Sequence, residues 1–133
     1  ECSSDLNIIA IGTNDIRYRN DNSAMTSTEY INNLEEIVSL LQSKRIVLIA
    51  PFYSMNYDSI TKLSLNEKNK LYKEYTNALE EYAKKNNYLF INPNIILEKT
   101  LNNSNTSYYL VDYIHPNHTG LYLYSKAVLE ASN

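Results

Sequence analysis

Asn7-Ile8-Ile9-Ala10-Ile11-Gly12-Thr13-Asn14-Asp15 joins a short apolar run rich in β-branched residues to a polar exit at Gly12. Two more such runs lie downstream. Arg45-Ile46-Val47-Leu48-Ile49-Ala50 ends at Pro51, and Tyr88-Leu89-Phe90-Ile91 ends at Asn92-Pro93. Runs apolar on both faces suit strands buried in a parallel sheet. Between them the apolar period changes to that of a helix. Tyr30, Ile31, Leu34, Ile37, Val38 and Leu41 recur at i, i+3/i+4, as do Leu71, Tyr72, Tyr75, Leu79, Tyr82 and Ala83. Thr26-Ser27-Thr28-Glu29 and Ser64-Leu65-Asn66-Glu67 fit the capping box that starts a helix. A third helical stretch follows Pro93 through Ile95, Ile96, Leu97 and Leu101. The last follows His115-Pro116-Asn117 and carries Leu121, Tyr124, Ala127, Val128 and Ala131. Strand and helix therefore alternate, which predicts an α/β fold with a parallel sheet. The polar stretch 102–107 reads as a surface loop. Residues 51–63 read as a longer connection at a strand's carboxyl end, the edge where open α/β sheets bind ligands, and hence as a pocket wall.

The 133 residues suffice for one domain, with 44% apolar residues spread in short runs. No run reaches the roughly 18–20 apolar residues that span a bilayer, and no signal peptide is visible at the first residues. A formal charge of −3 argues against a nucleic-acid partner, which would require a basic stripe. Arg17 with Arg19, and Lys84 with Lys85, read as solvated faces. The single cysteine, Cys2, excludes an internal disulfide and a cysteine-based zinc site. No cofactor or metal ligand set is visible: His118 stands three residues after His115, but no further ligands cluster with them. Among thirteen tyrosines, Tyr30, Tyr72, Tyr75 and Tyr82 fall at helical spacing and are expected to pack in the core. Localisation is not legible.

Two short patterns carry chemistry. Gly12-Thr13-Asn14-Asp15 follows a strand directly, which would aim the Asn14 amide into the crevice as a hydrogen-bond donor. Gly12 would permit the tight exit and Asp15 would hold the loop through backbone bonds. A plain polar turn is the alternative reading of these four residues. The second pattern is Asp112-Tyr113-Ile114-His115-Pro116-Asn117, followed by Gly120 and a helix. An Asp three residues before a His in a turn can reach the imidazole Nδ1–H, fixing the tautomer and leaving Nε2 free as a base. Pro116 keeps His115 out of helical geometry, so the ring is presented ahead of the helix. A capping Asp beside a surface His is the alternative here.

In this order and on these elements, the two patterns resemble the third and fifth conserved blocks of the SGNH/GDSL hydrolases, a family of serine esterases. The resemblance runs through nearly the whole chain. It implies a three-layer open parallel sheet of flavodoxin-like type. It also implies that Asn14 donates to an oxyanion hole, that His115 is general base and acid, and that Asp112 orients it. The family's Gly-Asp-Ser block, which carries the nucleophile, has no counterpart in this sequence, nor has its second glycine block. Ser3 and Ser4 precede the first strand, at the wrong edge of the sheet. The resemblance thus implies that residues 1–133 form the C-terminal portion of an SGNH hydrolase domain, with the N-terminal strands and the serine upstream and this chain alone inactive. The expected substrate is a small-molecule or carbohydrate ester, an O-acetyl ester in particular. A partner strand from a second copy or an N-terminal piece is also expected. An O-acyltransferase of the same family would use the same residues, and a non-catalytic α/β domain binding a ligand or partner at the same crevice is the reading from a different class. A flavodoxin- or receiver-like regulator would need a phosphate-cradling loop or an acidic cluster after the first strand, and neither is present.

Overall fold

The computed structural model describes residues 5–19, 23–41, 45–52, 63–102, 104–112 and 114–133. Three strands, β1 (Asn7–Ala10), β2 (Ile46–Ile49) and β3 (Leu89–Ile91), form one parallel sheet in the order β1-β2-β3. They alternate with α1 (Ser27–Leu40) and α2 (Leu65–Asn86), and β3 is followed by α3 (Asn94–Leu97), α4 (Thr106–Tyr109) and α5 (His118–Ala131). The predicted α/β class and parallel sheet are therefore found. The stretch 102–107, read above as a loop, instead enters the short helix α4, which is capped by Leu110, whose amide donates to Thr106 O at 2.7 Å.

Both long helices start where the sequence places them. Thr26 and Ser64 accept from the amides of Glu29 and Glu67, and each glutamate bonds back to the cap amide. A cap of this kind contributes about 1 kcal/mol to its helix. α2 ends at Asn87, whose φ of 58° lies in the left-handed region that asparagine tolerates.

The helices cover the two faces of the sheet as separate layers. α1 and α2 pack Tyr30, Leu34, Tyr72, Tyr75, Leu79 and Tyr82 on one face around Ile46 and Leu48. The expected core tyrosines are all there. On the other face Val128 and Ala131 of α5 cover Val47, Ile49 and Ile91, and Ala127 packs with Leu97 and Leu101. Only β2 is buried along its whole length. The expectation that all three strands are covered on both faces fails at β1 and β3, because these are the two edges of the sheet. Ile8 of β1 pairs in register with Val47, on the α5 side, yet remains 62% exposed, while its neighbour Ile9 packs under α1 and α2. Leu89 of β3 is 52% exposed. No helix among the described residues is long and apolar enough to cross a membrane.

Candidate active site

The first strand exits into a tight turn at the carboxyl edge of the sheet. After β1, Gly12 adopts φ 110°, in the left-handed region, and a single turn of 3₁₀ helix follows at Thr13–Asp15. A Cβ at Gly12 would stand 2.8 Å from the Tyr30 ring and 2.9 Å from Pro51. Glycine is required there by both conformation and space. The Tyr30 hydroxyl donates to Ile11 O at 3.1 Å. Tyr75, stacked on Tyr30 with ring centroids 4.7 Å apart, donates to Met25 O at 2.8 Å and approaches Asp15 O at 3.4 Å. Two buried tyrosines thus support the loop from below.

Asn14 sits on that loop with its side chain exposed and without a hydrogen bond among the described residues. The hydrogen bonds at Asp15 are those of its own main chain: its amide donates to Gly12 O at 3.1 Å and its carbonyl accepts from Arg17 at 2.9 Å. Its carboxyl is pushed above the usual range by burial, against the pull of Arg17 and Arg19.

Asp112 and His115 lie in the turn between α4 and α5. The His115 Nδ1 is 2.7 Å from Asp112 Oδ2. The other carboxylate oxygen, Oδ1, accepts from the amides of Ile114 at 2.8 Å and His115 at 2.7 Å. These three donors, the His115 amide foremost, then its ring, then the Ile114 amide, hold the Asp112 carboxyl down to about 2. An ionised carboxylate at Nδ1 selects the tautomer that carries its proton there. Nε2 has no hydrogen-bond partner among the described residues, and the ring is 73% exposed.

The turn itself is fixed by main-chain bonds. Val111 donates to His115 O at 2.8 Å, and Leu110 pairs with Pro116 as an antiparallel bridge. Asn117 caps α5, accepting from Gly120 N at 3.0 Å, while its amide and side chain donate to Tyr109 O and Tyr108 O, both at 2.9 Å. Gly120 is packed so closely that a Cβ would lie 2.0 Å from Tyr109 O. His118 is the exposed first residue of α5.

Phe52, just past β2, connects the two halves. Its carbonyl accepts from the Thr13 hydroxyl at 3.4 Å, and its ring meets Tyr124 of α5 edge-on at 6.1 Å. Phe52 thus touches both the Asn14 loop and α5, the helix into which the His115 turn leads. Of the residues predicted from sequence, Asp112 and His115 are in direct contact, and Gly12 and Asp15 shape the Asn14 loop. Asn14 makes no bond to either partner. The connection 51–63, expected as a pocket wall, lies largely outside the described residues, as do Ser3 and Ser4. Phe52 and the hydroxyl of Tyr30 carried no sequence signal of this role beyond one: a tyrosine at a buried helical position asks for a polar partner.

The fold is shared with several solved structures. An acetylxylan esterase from Geobacillus stearothermophilus superposes with a TM-score of 0.69 at 23% identity, covering 98% of this chain and 60% of that one. In its catalytic mutants a serine near its N terminus, an aspartate, or a histidine three positions after that aspartate is replaced. A Parabacteroides merdae protein provisionally named a GDSL-like lipase gives a TM-score of 0.76 at 20% identity, covering 98% and 61%. An α/β hydrolase from the metagenome of Lake Arreo gives 0.70 at 20% identity, covering 98% and 60%. The chain thus spans about three-fifths of the length of these structures. No curated protein sequence matches it significantly. The sequence profile of the GDSL-like lipase/acylhydrolase family matches residues 1–121, so the chain belongs to the GDSL-like lipase/acylhydrolase family.

Proposed function

We propose that these residues supply the base, its orienter and one oxyanion donor of a serine esterase. His115 takes the proton of a serine hydroxyl at Nε2 and returns it to the leaving alcohol. Asp112 fixes the ring and stabilises the imidazolium, and Asn14 donates to the oxyanion of the tetrahedral intermediate. Gly12 and the main chain of Asp15 hold the Asn14 loop. The observation that carries this reading is the 2.7 Å contact between Asp112 Oδ2 and His115 Nδ1 with Nε2 left open. The same three-residue spacing separates the aspartate and histidine altered in catalytic mutants of the Geobacillus esterase.

Residues 1–133 act as the C-terminal portion of an SGNH hydrolase domain, and the serine comes from an upstream segment that adds a strand along the open side of β1. Two facts support this: no Gly-Asp-Ser block occurs in the sequence, and Ile8 is left exposed on an edge strand. Such an edge favours addition of a further strand. A carbohydrate O-acetyl ester is the substrate class suggested by the acetylxylan esterase likeness. The test is hydrolysis of aryl acetate by the polypeptide carrying the upstream segment. His115→Ala should abolish turnover, and Asp112→Asn should lower kcat by up to about 10⁴, as happens when a triad histidine is left in the wrong tautomer. Near-full activity of either variant would remove that residue from the mechanism.

A further inference from the structure

The hydrogen-bond ladder between β1 and β2 stops one donor short of the Asn14 loop. Asn7 donates to Arg45 O at 2.9 Å, and the register runs from Asn7↔Ile46 to Ala10↔Ile49. In a parallel pair every second residue bonds to the partner strand, so the amides of residues 47, 49 and 51 face the carbonyls of residues 7, 9 and 11. Position 51 is Pro51, which has no N–H to give. Ile11 O, the last carbonyl before Gly12, is served instead by the Tyr30 hydroxyl of α1 at 3.1 Å. Tyr30 itself is buried.

The same ring fills the space that a side chain at position 12 would need, its Cε2 lying 2.8 Å from where a Cβ would stand. Tyr75 is stacked on it with 8° between the planes, which blocks the ring from swinging aside. Burial foremost, then Asp15 and Tyr75, raise the Tyr30 hydroxyl above the ordinary tyrosine range, so it keeps its proton and remains a donor. Asn14 makes no hydrogen bond of its own among the described residues, so its aim is set by the main chain beneath it. That main chain is held at Ile11 O by Tyr30, at Gly12 O by the Asp15 amide at 3.1 Å, and at Thr13 by the bond to Phe52 O at 3.4 Å. Of these three, the Tyr30 bond ties the loop to a side chain packed in the core.

We propose that Tyr30 is a positioning residue for the oxyanion donor: its hydroxyl replaces the amide that Pro51 lacks and thereby holds Asn14 at the angle its own amide needs. The inference rests on the catalytic reading above and extends it to a side chain that touches no substrate. A donor fixed in advance toward the oxyanion acts in the transition state, and a misplacement of about 1 Å can cost on the order of 10²-fold in rate. Loss of the anchor lowers kcat and leaves KM nearly unchanged, because the ground-state complex does not depend on the oxyanion.

In the polypeptide that carries residues 1–133 together with its upstream serine, Tyr30→Phe keeps the stacked ring and removes only the hydroxyl. It should lower kcat on an aryl acetate by about ten- to a hundredfold at unchanged KM, measured where the variant is fully folded. A change that merely loosened the fold would leave kcat per folded molecule as it was. The double variant separates the two: with Asn14→Ala already in place, Tyr30→Phe should cost nothing further, since the donor it positions is gone. Full kcat in Tyr30→Phe, or a cost that simply multiplies that of Asn14→Ala, would overturn the assignment. A second measurement does not depend on catalysis. The side-chain amide signals of Asn14 in a ¹⁵N-resolved NMR spectrum should shift and broaden in Tyr30→Phe. Unchanged signals overturn the positioning role whatever the enzyme hydrolyses. Altered signals together with full activity of Asn14→Ala remove the oxyanion reading instead and leave Tyr30 as the anchor of the loop.

Discussion

Replacing Gly120 by alanine sets two effects of opposite sign against each other. In a solvated helix the change is favourable by about 1 kcal/mol, because alanine loses less backbone entropy than glycine. Here the new Cβ would stand 2.0 Å from Tyr109 O and 2.9 Å from the Pro116 side chain. Contacts under 3.0 Å do not occur at real Cβ atoms, so α5 and the end of α4 must separate by about 1 Å, and the obstacle is main chain that cannot rotate away. The same carbonyl accepts from the Asn117 amide at 2.9 Å, and the Asn117 side chain donates to Tyr108 O at 2.9 Å. Opening the gap stretches both, at about 1 kcal/mol each. Strain from overpacking adds roughly 1–3 kcal/mol. After the helical gain is set against these, the net loss is about 2–4 kcal/mol. Urea unfolding followed by circular dichroism should place the midpoint of Gly120→Ala well below that of the parent with little change in slope. The variant should also disturb the His115 ring resonances, since its turn is held between the two segments forced apart. Unchanged stability, or a gain of about 1 kcal/mol as helix propensity alone would give, would refute the close seating of α5 on α4.

Asn14→Ala should reduce kcat of the serine-bearing polypeptide by roughly 10²–10³ with little effect on stability, because the side chain is exposed and contributes one oxyanion donor. Full activity would mean that the donor lies elsewhere. Tyr30→Phe removes the hydroxyl that donates to Ile11 O while keeping the stacked ring, and should cost about 1 kcal/mol in a denaturant titration. No loss at all would place that bond outside the folded ensemble. The Asp112 carboxyl is stabilised in its ionised form, with a folded value of about 2 against 3.8 for the free group. Its contribution to stability is therefore present above about pH 4 and is lost as pH falls through 2. A ¹³C titration of that carboxyl with a midpoint near 3.8 would show that the His115 and Ile114 donors are not made in solution.

The chain announces its fold wherever the information is local. Both capping boxes, the buried run of β2 and the two amphipathic helices rest on spacings within one element, and all appear in the structure. The Asp112–His115 contact is equally local, since two intervening residues and a proline suffice to set it. What the sequence could not express are relations between elements. Ile8 and Val47 look alike as residues, yet one is exposed and the other buried, because among the described residues α5 packs on Val47, Ile49 and Ile91 and not on Ile8. α4 is four residues long in a polar stretch and has no apolar period to betray it. Phe52 reads as one more apolar residue after a strand. Its position between Thr13 and Tyr124 follows from tertiary packing.

The two halves of the proposed site differ in how far apart their partners lie along the chain, and this sets the sequence of their formation. Asp112 meets His115 across two residues, inside a turn whose ends at Leu110 and Pro116 are also paired. Closing so short a segment takes on the order of tens of nanoseconds, so the imidazole can acquire its carboxylate partner before any sheet exists. The Asn14 loop, by contrast, depends on the docking of β1 beside β2, a contact between segments distant in sequence. One half of the proposed site thus needs only its own turn, and the other needs the sheet.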